Sequence, residues 1–319
     1  MKNTFAVISS LCAMAVLIFA SPQVIDSCRY ALSLCAEMIV PSLFPFFLLS
    51  VMLSKTGFPA LLGKLLSPLA SKLFRVSGAG ASAFFIGITG GYPLGAAYIA
   101  QLRQDGAISL SEAERLLSFC NNSGPAFIIG AVGVGVFDSP KAGLLLYSCH
   151  IAAALLWGIL LSFRGEVCPS ELPAAKPMGF SQALPEAVSQ AVVSVLNVCG
   201  FVVCFTVFAG LLDSLGILPA LSGRLSEFTG AELHFSRALL VGILEIGSAA
   251  GDMRALSASP ANLALASGIL AWGGISVHFQ TFALISDTEI KGTLHFAGRL
   301  MCAIFAFVLA FLFSNLLRM

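Results

Sequence analysis

Apolar and polar positions alternate in long blocks along this chain. Apolar stretches fall at residues 5–20, 39–53, 79–102, 126–137, 142–163, 191–212, 236–250, 263–286 and 294–316. A helix needs about 20 apolar residues to cross a bilayer, and the stretches 142–163, 191–212 and 294–316 are long and clean enough to do so alone. The stretch 39–53 becomes long enough when it is joined to the helix-like residues 24–38. The pattern therefore predicts an all-α, polytopic integral membrane protein.

Composition strengthens this prediction. Hydrophobic residues make up 58% of the 319 positions and charged residues 10%, and the mean hydropathy is +0.94. A soluble domain carries roughly a quarter charged residues, so we expect the lipid bilayer to cover much of this surface. The net charge of +1, with no basic cluster, gives no support for a nucleic-acid partner. The stretch 5–20 predicts an uncleaved first helix, with a secretory signal as the alternative.

The residues that usually carry catalysis or bind metals are scattered. The 4 histidines and 9 cysteines show neither metal-ligand spacing nor a CxxC pair. No nucleophile–base pair or carboxylate pair is visible either. We therefore expect no metal, no cofactor and no enzymatic activity.

A polar, proline-containing segment at residues 164–182 divides the chain near its middle. It suggests an N-terminal helix and amphipathic lead-in over 1–38, a first repeat over 39–163, a linker over 164–182 and a second repeat over 183–319. Three matches in the same order support the repeat. "PALLGKLL" (59–66) matches "PALSGRLS" (219–226), "FFIGITGGYPLG" (84–95) matches "LLVGILEIGSAAG" (239–251), and "NNSGPAFIIG" falls where the second half has "WGGISVHFQT".

The matching connectors differ in charge. Residues 54–76 carry four basic residues and no acid, whereas residues 213–237 carry two basic and three acidic residues. The positive-inside rule puts the first connector in the cytoplasm and leaves the second free to lie outside. This difference favours two inverted repeats, with two parallel repeats as the alternative.

Four polar interruptions lie inside apolar segments, at residues 89–93, 121–125, 247–252 and 273–276. Irregular backbone at membrane depth survives only inside protein or beside a water-filled cavity. We expect Asn122 or Ser123 to cap a half-helix over 126–137, whose free N–H groups would face such a cavity. Close helix packing at small residues is the alternative explanation for each glycine cluster. As a set, the interruptions predict a central site of the kind found in transporters.

The candidate substrate contacts come from both halves of the chain. They are Thr89, Gly90, Gly91, Tyr92, Asn121, Asn122, Ser123, Gly124, Ser248, Gly273, Gly274, Ser276, His278 and Gln280. Glu245 follows an apolar run and Asp252 lies just beyond it, and both are candidates for ion or proton coupling. Glu245 could instead neutralise Arg254, and Asp252 and Arg254 could pair with each other.

A capping box is visible at the start of residues 109–120, where Ser109 is followed by Glu112. With Glu114 and Arg115 it predicts a water-facing helical turn that leads into the membrane.

Four motifs carry a family resemblance: "PSLFPFF" (41–47), "GITGGYPLGA" (87–96), "EAERLLSFCNNSGPAFIIGAVGVGVF" (112–137) and "WGGISVHFQ" (272–280). Over residues 41–299 the chain resembles the YlbJ/SpoVV sporulation integral membrane proteins, within the superfamily that has the nucleoside-recognition Gate domain. The resemblance implies a multi-pass bacterial membrane protein, located in the outer forespore membrane, that moves dipicolinic acid during spore formation. It also implies kinship with concentrative nucleoside transporters.

Dipicolinate is a flat aromatic dianion. Half-helix N-termini with Asn and Ser donors would bind its carboxylates, and Tyr92 or Trp272 could stack on its ring. We expect alternating access around the central site, with a proton or Na⁺ as a possible coupling ion. Two alternatives stay open. One is a cation-coupled carrier of nucleosides or other metabolites, and the other is a non-transporting membrane scaffold in sporulation.

Overall fold

The computed structural model describes residues 7, 11, 14–15, 17–163 and 178–318. Most of the predicted first helix, 5–20, and most of the predicted linker, 164–182, lie outside these residues. Over residues 21–163 the first half forms seven helices: α1 (Ser21–Ser54), α2 (Phe58–Phe74), α3 (Gly78–Gly90), α4 (Leu94–Gln104), α5 (Leu110–Cys120), α6 (Ala126–Val134) and α7 (Pro140–Ser162). Helix α1 passes without interruption through residues 38 and 39, with one π-helical stretch at Cys35–Ile39.

The second half repeats the same order of elements. Its helices are α8 (Phe180–Ser214), α9 (Ile217–Thr229), α10 (Leu233–Leu244), α11 (Ile246–Met253), α12 (Pro260–Trp272), α13 (Gly274–Ile285) and α14 (Thr293–Leu316). In each half, a long helix (α1, α8) is followed by a shorter connecting helix (α2, α9) and a pair of short helices (α3–α4, α10–α11). A further pair (α5–α6, α12–α13) and a final long helix (α7, α14) complete the half. The chain is therefore built from two repeats of matching architecture.

The equivalent helices of the two repeats run antiparallel. The Met178 N–H, just before α8, donates to the Lys55 carbonyl at the end of α1 at 3.1 Å. At the opposite ends of these two helices, Ser27 packs against Gly210. The repeats are therefore inverted relative to each other, as the connector charges predict.

The last helices of the repeats have the same antiparallel relation. Trp157 near the end of α7 contacts Gly298 near the start of α14. Lys141 at the start of α7 and Leu317 just after α14 line one surface pocket.

Two of the short helix pairs are hairpins. In α3–α4, a Cβ placed on Gly95 would lie 3.1 Å from the Cα of Gly87, so the chain turns back on itself at residues 91–93. In α10–α11, the Arg237 Nε lies 3.3 Å from the Asp252 Oδ1, so the chain turns at Glu245. The pairs α5–α6 and α12–α13 are the interrupted helices that pack beside these hairpins.

Five helical units among the described residues are long and apolar enough to cross a membrane: Ser21–Ser54, Pro140–Ser162, Phe180–Ser214, Pro260–Ile285 and Thr293–Leu316. A sixth is added if α2 and α3, which meet at 94°, count as one span. Their outward faces carry exposed Leu, Val and Phe side chains, which is the surface that lipid requires. This arrangement confirms the prediction of an all-α, polytopic membrane protein.

The prediction that α5 begins as a water-facing turn is wrong. Glu112 and Arg115 are 2% and 5% exposed. The Glu112 Oε1 accepts a hydrogen bond from the Ser77 N–H at 2.6 Å, and Arg115 donates to the carbonyls of Phe74 and Arg75. The charges of α5 therefore satisfy backbone groups at the corner between α2 and α3. The Ser109 cap itself is confirmed, since its Oγ accepts from the Glu112 N–H at 3.2 Å.

Candidate functional site

In each repeat, the turn of the hairpin touches the break of the interrupted helix through a glycine with positive φ. In the first repeat, Gly91 has φ 82°, and a Cβ there would lie 2.6 Å from the Gly124 nitrogen. In the second repeat, Gly274 has φ 78°, and a Cβ there would lie 2.9 Å from the Leu244 carbonyl oxygen. Only glycine fits such close backbone contacts with this conformation. The interruptions near residues 91 and 124 therefore meet as one pair, and those near residues 245 and 274 meet as another.

The first break follows the end of α5 at Cys120. The Asn121 Nδ2 donates to the Thr281 Oγ1 on α13 at 2.9 Å, so this break is tied to the other repeat. The Asn122 Nδ2 donates to the Phe119 carbonyl at 2.8 Å. The Ser123 N–H donates to the His150 Nε2 at 3.2 Å.

The capping prediction for this break is wrong. Helix α6 begins after Pro125 with no side-chain cap, and it is π-helical over Ala126–Val134. The asparagine amides instead donate to Thr281 on α13 and to the Phe119 carbonyl of α5. The expectation that a helix begins at this break is confirmed.

Arg299 of α14 is fully buried and donates hydrogen bonds to the first break. Its Nη1 donates to the Asn121 carbonyl at 2.8 Å, the Asn122 Oδ1 at 3.2 Å and the Tyr92 hydroxyl at 3.3 Å. Its Nη2 donates to the Ser118 carbonyl at 2.9 Å. One side chain of the second repeat thus joins the hairpin and the interrupted helix of the first.

The second break is built around Glu245, which is 1% exposed and has extended backbone between α10 and α11. Its Oε1 accepts from the Gly247 N–H at 2.9 Å, and its Oε2 accepts from the Ser248 N–H. The carboxylate therefore caps the N-terminus of α11, where a negative charge is favoured by the helix dipole. The Ser248 Oγ lies 2.7 Å from the Thr206 Oγ1 on α8.

Three predictions about this region are wrong. Residues 247–252 are helical, and the interruption is Glu245 itself, because its side chain supplies the cap that a helix start requires. Asp252 pairs with Arg237 at 3.3 Å and not with Arg254, which is exposed. Glu245 does not neutralise Arg254 either, since it is engaged by backbone N–H groups.

The interruption of α12–α13 is Gly273, with φ 88°, and Ser276 lies within α13. The Ser276 Oγ accepts from the Gln280 Nε2 at 3.2 Å. His278 and His295 share a hydrogen bond of 3.2 Å between Nδ1 and Nε2, and the Trp272 ring packs edge-on against His278. These side chains form a buried polar and aromatic layer behind the second break.

A small cavity lies between the two repeats. Its walls are formed by Ile39, Leu43, Tyr92, Ser123, Gly124, Phe127, Val198, Val202, Glu245, Ile246, Gly247, Val277 and Gln280. Glu245 is the one acidic or basic side chain among these. The space open to the centre of a water-sized sphere is about 30 Å³, which is room for about two waters. The cavity is therefore too small for a ring-sized solute unless its walls separate.

The structure divides the predicted site residues into two groups. Tyr92, Ser123, Gly124, Glu245 and Gln280 line the cavity. The others lie behind its wall or elsewhere: Thr89, Gly90, Gly91, Asn121, Asn122, Ser248, Gly273, Gly274, Ser276, His278 and Asp252. Thr89 donates to the Phe85 carbonyl of its own helix at 2.8 Å. Asp252 and Ser248 line a separate pocket with Arg237, Asp213 and Thr206.

Sequence reasoning missed Arg299, His150 and the pairing of His278 with His295. A signal for Arg299 was present, because an arginine near the start of an otherwise apolar span is costly and usually functional. His150 and His295 are likewise polar side chains inside apolar helices, 1% and 0% exposed. None of them lies near a glycine or proline interruption in the sequence, so the search for interruptions passed over them.

The fold and the site define a polytopic membrane protein of inverted repeats with broken helices around a central cavity. The chain superposes over 99% of its length on 85% of CNTnw in an intermediate state, with a TM-score of 0.56 and 15% identity. It superposes over 98% of its length on 85% of CNTnw in an outward-facing state, with a TM-score of 0.55 and 14% identity. At this identity the likeness establishes the fold, which is that of the concentrative nucleoside transporters.

Sequence comparison gives the family. Residues 36–178 match the Gate family, described as "Nucleoside recognition". The chain is 32% identical to the sporulation integral membrane protein YlbJ of Bacillus subtilis (strain 168), over 97% of this chain and 82% of that protein. The chain therefore belongs to the YlbJ family of sporulation integral membrane proteins, as its motifs predict.

Proposed function

We propose that this protein is a membrane transporter that carries a small solute through the cavity between its two repeats. The observation that carries the proposal is that the hairpins and broken helices of both repeats line one small cavity between them. Non-helical backbone at membrane depth is costly, and transporters use it to build a substrate site. A scaffold would gain stability from continuous helices and has no use for such a chamber.

The small cavity supports alternating access as the mechanism. Its walls come from opposite repeats, with Tyr92, Ser123 and Gly124 on one side and Glu245 and Gly247 on the other. Several contacts near it are glycine to backbone, so few interlocked side chains oppose a sliding movement. Opening toward either face of the membrane would admit the solute, and closure would exclude water.

We propose dipicolinate as the solute, because the chain belongs to a family of sporulation proteins. The structure changes the expectation that each half-helix N-terminus is free to bind this solute, however. The N-terminus of α11 is already occupied by the Glu245 carboxylate, so it cannot also bind a carboxylate of the solute. A dianion beside Glu245 requires a proton or a cation for charge balance, which makes Glu245 the coupling group. The proposed location is the outer forespore membrane.

A nucleoside or similar uncharged solute is the second candidate. The match to a family described as "Nucleoside recognition" and the shared fold favour it. Gln280 lines the cavity, and its Oε1 is buried without a partner among the described residues, so a hydroxyl or amino group of a solute could satisfy this acceptor. In this reading, Glu245 contacts the solute as a hydrogen-bond acceptor.

Uptake into proteoliposomes tests the proposal. Labelled dipicolinate and labelled uridine would be compared with and without proton and Na⁺ gradients, using the wild type, Asn121→Ala and Glu245→Gln. We expect dipicolinate to enter in a gradient-dependent manner and both variants to lose uptake while inserting normally. Glu227→Gln, which makes the same chemical change at an exposed position of α9, should behave as the wild type. If the wild type moves neither solute, the protein is not the transporter proposed.

A further inference from the structure

Arg299 is a buried cation that forms no ion pair with any carboxylate in the part of the chain that the structure describes. It is 0% exposed, and its hydrogen-bond partners are carbonyl oxygens, an amide oxygen, the Tyr92 hydroxyl and the Cys302 thiol. All of these partners are neutral groups. A buried charge without an opposite charge is costly, and proteins usually pair it or expose it.

The end of α5 compensates this charge only in part. The Ser118 and Asn121 carbonyls belong to the C-terminal turn of α5 and the residue that follows it. The C-terminus of a helix carries the equivalent of about half a negative charge, and its effect falls off within a turn. A full positive charge therefore leaves a net positive potential around the first break.

This potential reaches the cavity through short links. Tyr92 accepts a hydrogen bond from the Arg299 Nη1 at 3.3 Å, and its ring is part of the cavity wall. Asn121 and Asn122, which bond directly to Arg299, lead into Ser123 and Gly124 of the same wall. Arg299, Tyr92, Asn121 and Asn122 are all buried, so the interaction is weakly screened.

We propose that Arg299 is the charge-selecting residue of the site, which makes the first-repeat wall of the cavity favour anionic solutes. The proposal rests on the transport function proposed above and specifies its substrate class. Arg299 is a positioning residue in this scheme, because it acts through Tyr92 and the first break without touching the solute. The Glu245 carboxylate on the opposite wall disfavours anionic groups. The cavity therefore has a positive side at the first break and a negative side at Glu245.

A purely structural role for Arg299 makes a different prediction. If it only holds the first break in shape, its loss would weaken the binding of all solutes that fit the cavity. If it selects charge, its loss would weaken the binding of an anion more than that of an uncharged solute of equal shape. Dipicolinate and pyridine-2,6-dicarboxamide are such a pair, because the second replaces each carboxylate by an amide.

The experiment measures the binding of both compounds by calorimetry to the full chain in lipid nanodiscs. The variants are Arg299→Gln, Arg299→Lys and Glu245→Gln. We expect Arg299→Gln to weaken dipicolinate binding by about tenfold more than diamide binding, as a charge acting through protein over several ångströms would do. Arg299→Lys keeps the charge and loses the fork geometry, so both affinities should fall by a similar factor. Glu245→Gln should strengthen dipicolinate binding relative to the diamide.

Thr281→Val is the matched control, because it removes the hydrogen bond from Asn121 without changing any charge. It should weaken both compounds equally. If Arg299→Gln lowers the affinities for dipicolinate and the diamide by the same factor, the proposal is overturned. A changed ratio of the two affinities in Arg299→Lys would also overturn it. Arg299→Lys alone tests the proposal if Arg299→Gln does not fold. Selective loss of dipicolinate binding in a protein that transports nothing would support the charge role and reject the transport function. Absence of dipicolinate binding to the wild type would overturn this proposal and exclude dipicolinate as the solute, whereas uptake of uridine would still support the transport function.

Discussion

Each of the two breaks at the centre of this molecule leaves backbone groups without helical hydrogen bonds, and side chains of opposite charge satisfy them. The first break follows the end of a helix, and the cation of Arg299 satisfies the carbonyls that are left there. The second break precedes the start of a helix, and the anion of Glu245 satisfies the N–H groups that are left there. Each charge matches the sign that the helix dipole favours at that terminus.

The comparison teaches that inverted repeats need not carry equivalent chemistry. The repeats share their order of helices and their antiparallel geometry, yet Arg299 reaches across from the second repeat to the first. Among the described residues, by contrast, the Glu245 carboxylate accepts hydrogen bonds only from backbone N–H groups two and three residues away. The first break therefore depends on contacts between the repeats, and the second depends on local structure.

The largest expected effect comes from Arg299→Ala. Its loss leaves the buried Ser118 and Asn121 carbonyls without a donor and separates Tyr92 from the first break. We expect the free energy of unfolding to fall by about 3–5 kcal/mol, as when one member of a buried charged network is removed. Unfolding in mixed detergent micelles measures this change. The exposed Arg254→Ala should have an effect below about 0.5 kcal/mol, and equal effects of the two variants would contradict the account.

A smaller loss is expected from Gly95→Ala. A Cβ at this position would lie 2.7 Å from the Cys120 carbonyl oxygen, so the hairpin would be pushed away from the first break. We expect a destabilisation of about 1–3 kcal/mol, typical of overpacking. Gly130→Ala is the matched control, because a Cβ there meets no atom within 4 Å. The same unfolding assay compares them, and a neutral Gly95→Ala would show that the two elements are not packed as described.

Glu245→Gln should cost about 1–2 kcal/mol of stability, because the amide keeps one acceptor but loses the charge at the start of α11. The consequence for transport is greater than that for stability. We expect any response of uptake to a proton or Na⁺ gradient to disappear, as measured in proteoliposomes with and without the gradient. Gradient-driven uptake that persists in this variant would remove Glu245 from the coupling mechanism.

The smallest effect concerns the contact between Ser248 and Thr206, which links the second break to α8 at 2.7 Å. Ser248→Ala should cost about 1 kcal/mol, the usual net value of one hydrogen bond between neutral groups. A double-mutant cycle with Thr206→Val should give a coupling energy of similar size. Independent, additive effects would indicate that the hydrogen bond contributes nothing.

Local sequence signals predicted the positions of the breaks well. Glycine, proline and asparagine interrupt apolar helices for reasons of backbone geometry that act within a few residues. Residues 121–125 and Gly273 are found where the pattern puts them. The position predicted for the second hairpin turn is wrong by a few residues, because a glutamate seldom caps a helix and the neighbouring glycines and serine are typical of a turn.

Long-range partners could not be read from the sequence. Arg299 bonds to residues that precede it by 177 to 207 positions, and no local pattern encodes such a contact. The buried Glu112 and Arg115 misled the prediction for the same reason, since their partners lie on the α2–α3 corner more than 30 residues earlier. Periodicity predicts which elements form, whereas the pairing of charges depends on how those elements pack.

The central claim is that one break from each repeat faces a single cavity, and cross-linking in the membrane tests it most directly. A variant with Ser123→Cys and Ile246→Cys would be treated with a short bifunctional thiol reagent, and the link would be identified by mass spectrometry. The account predicts a specific link between these two positions, which line the cavity together. It predicts none between Ser123→Cys and Asp252→Cys, because Asp252 lines a separate pocket. A link in the second variant without one in the first would contradict the account.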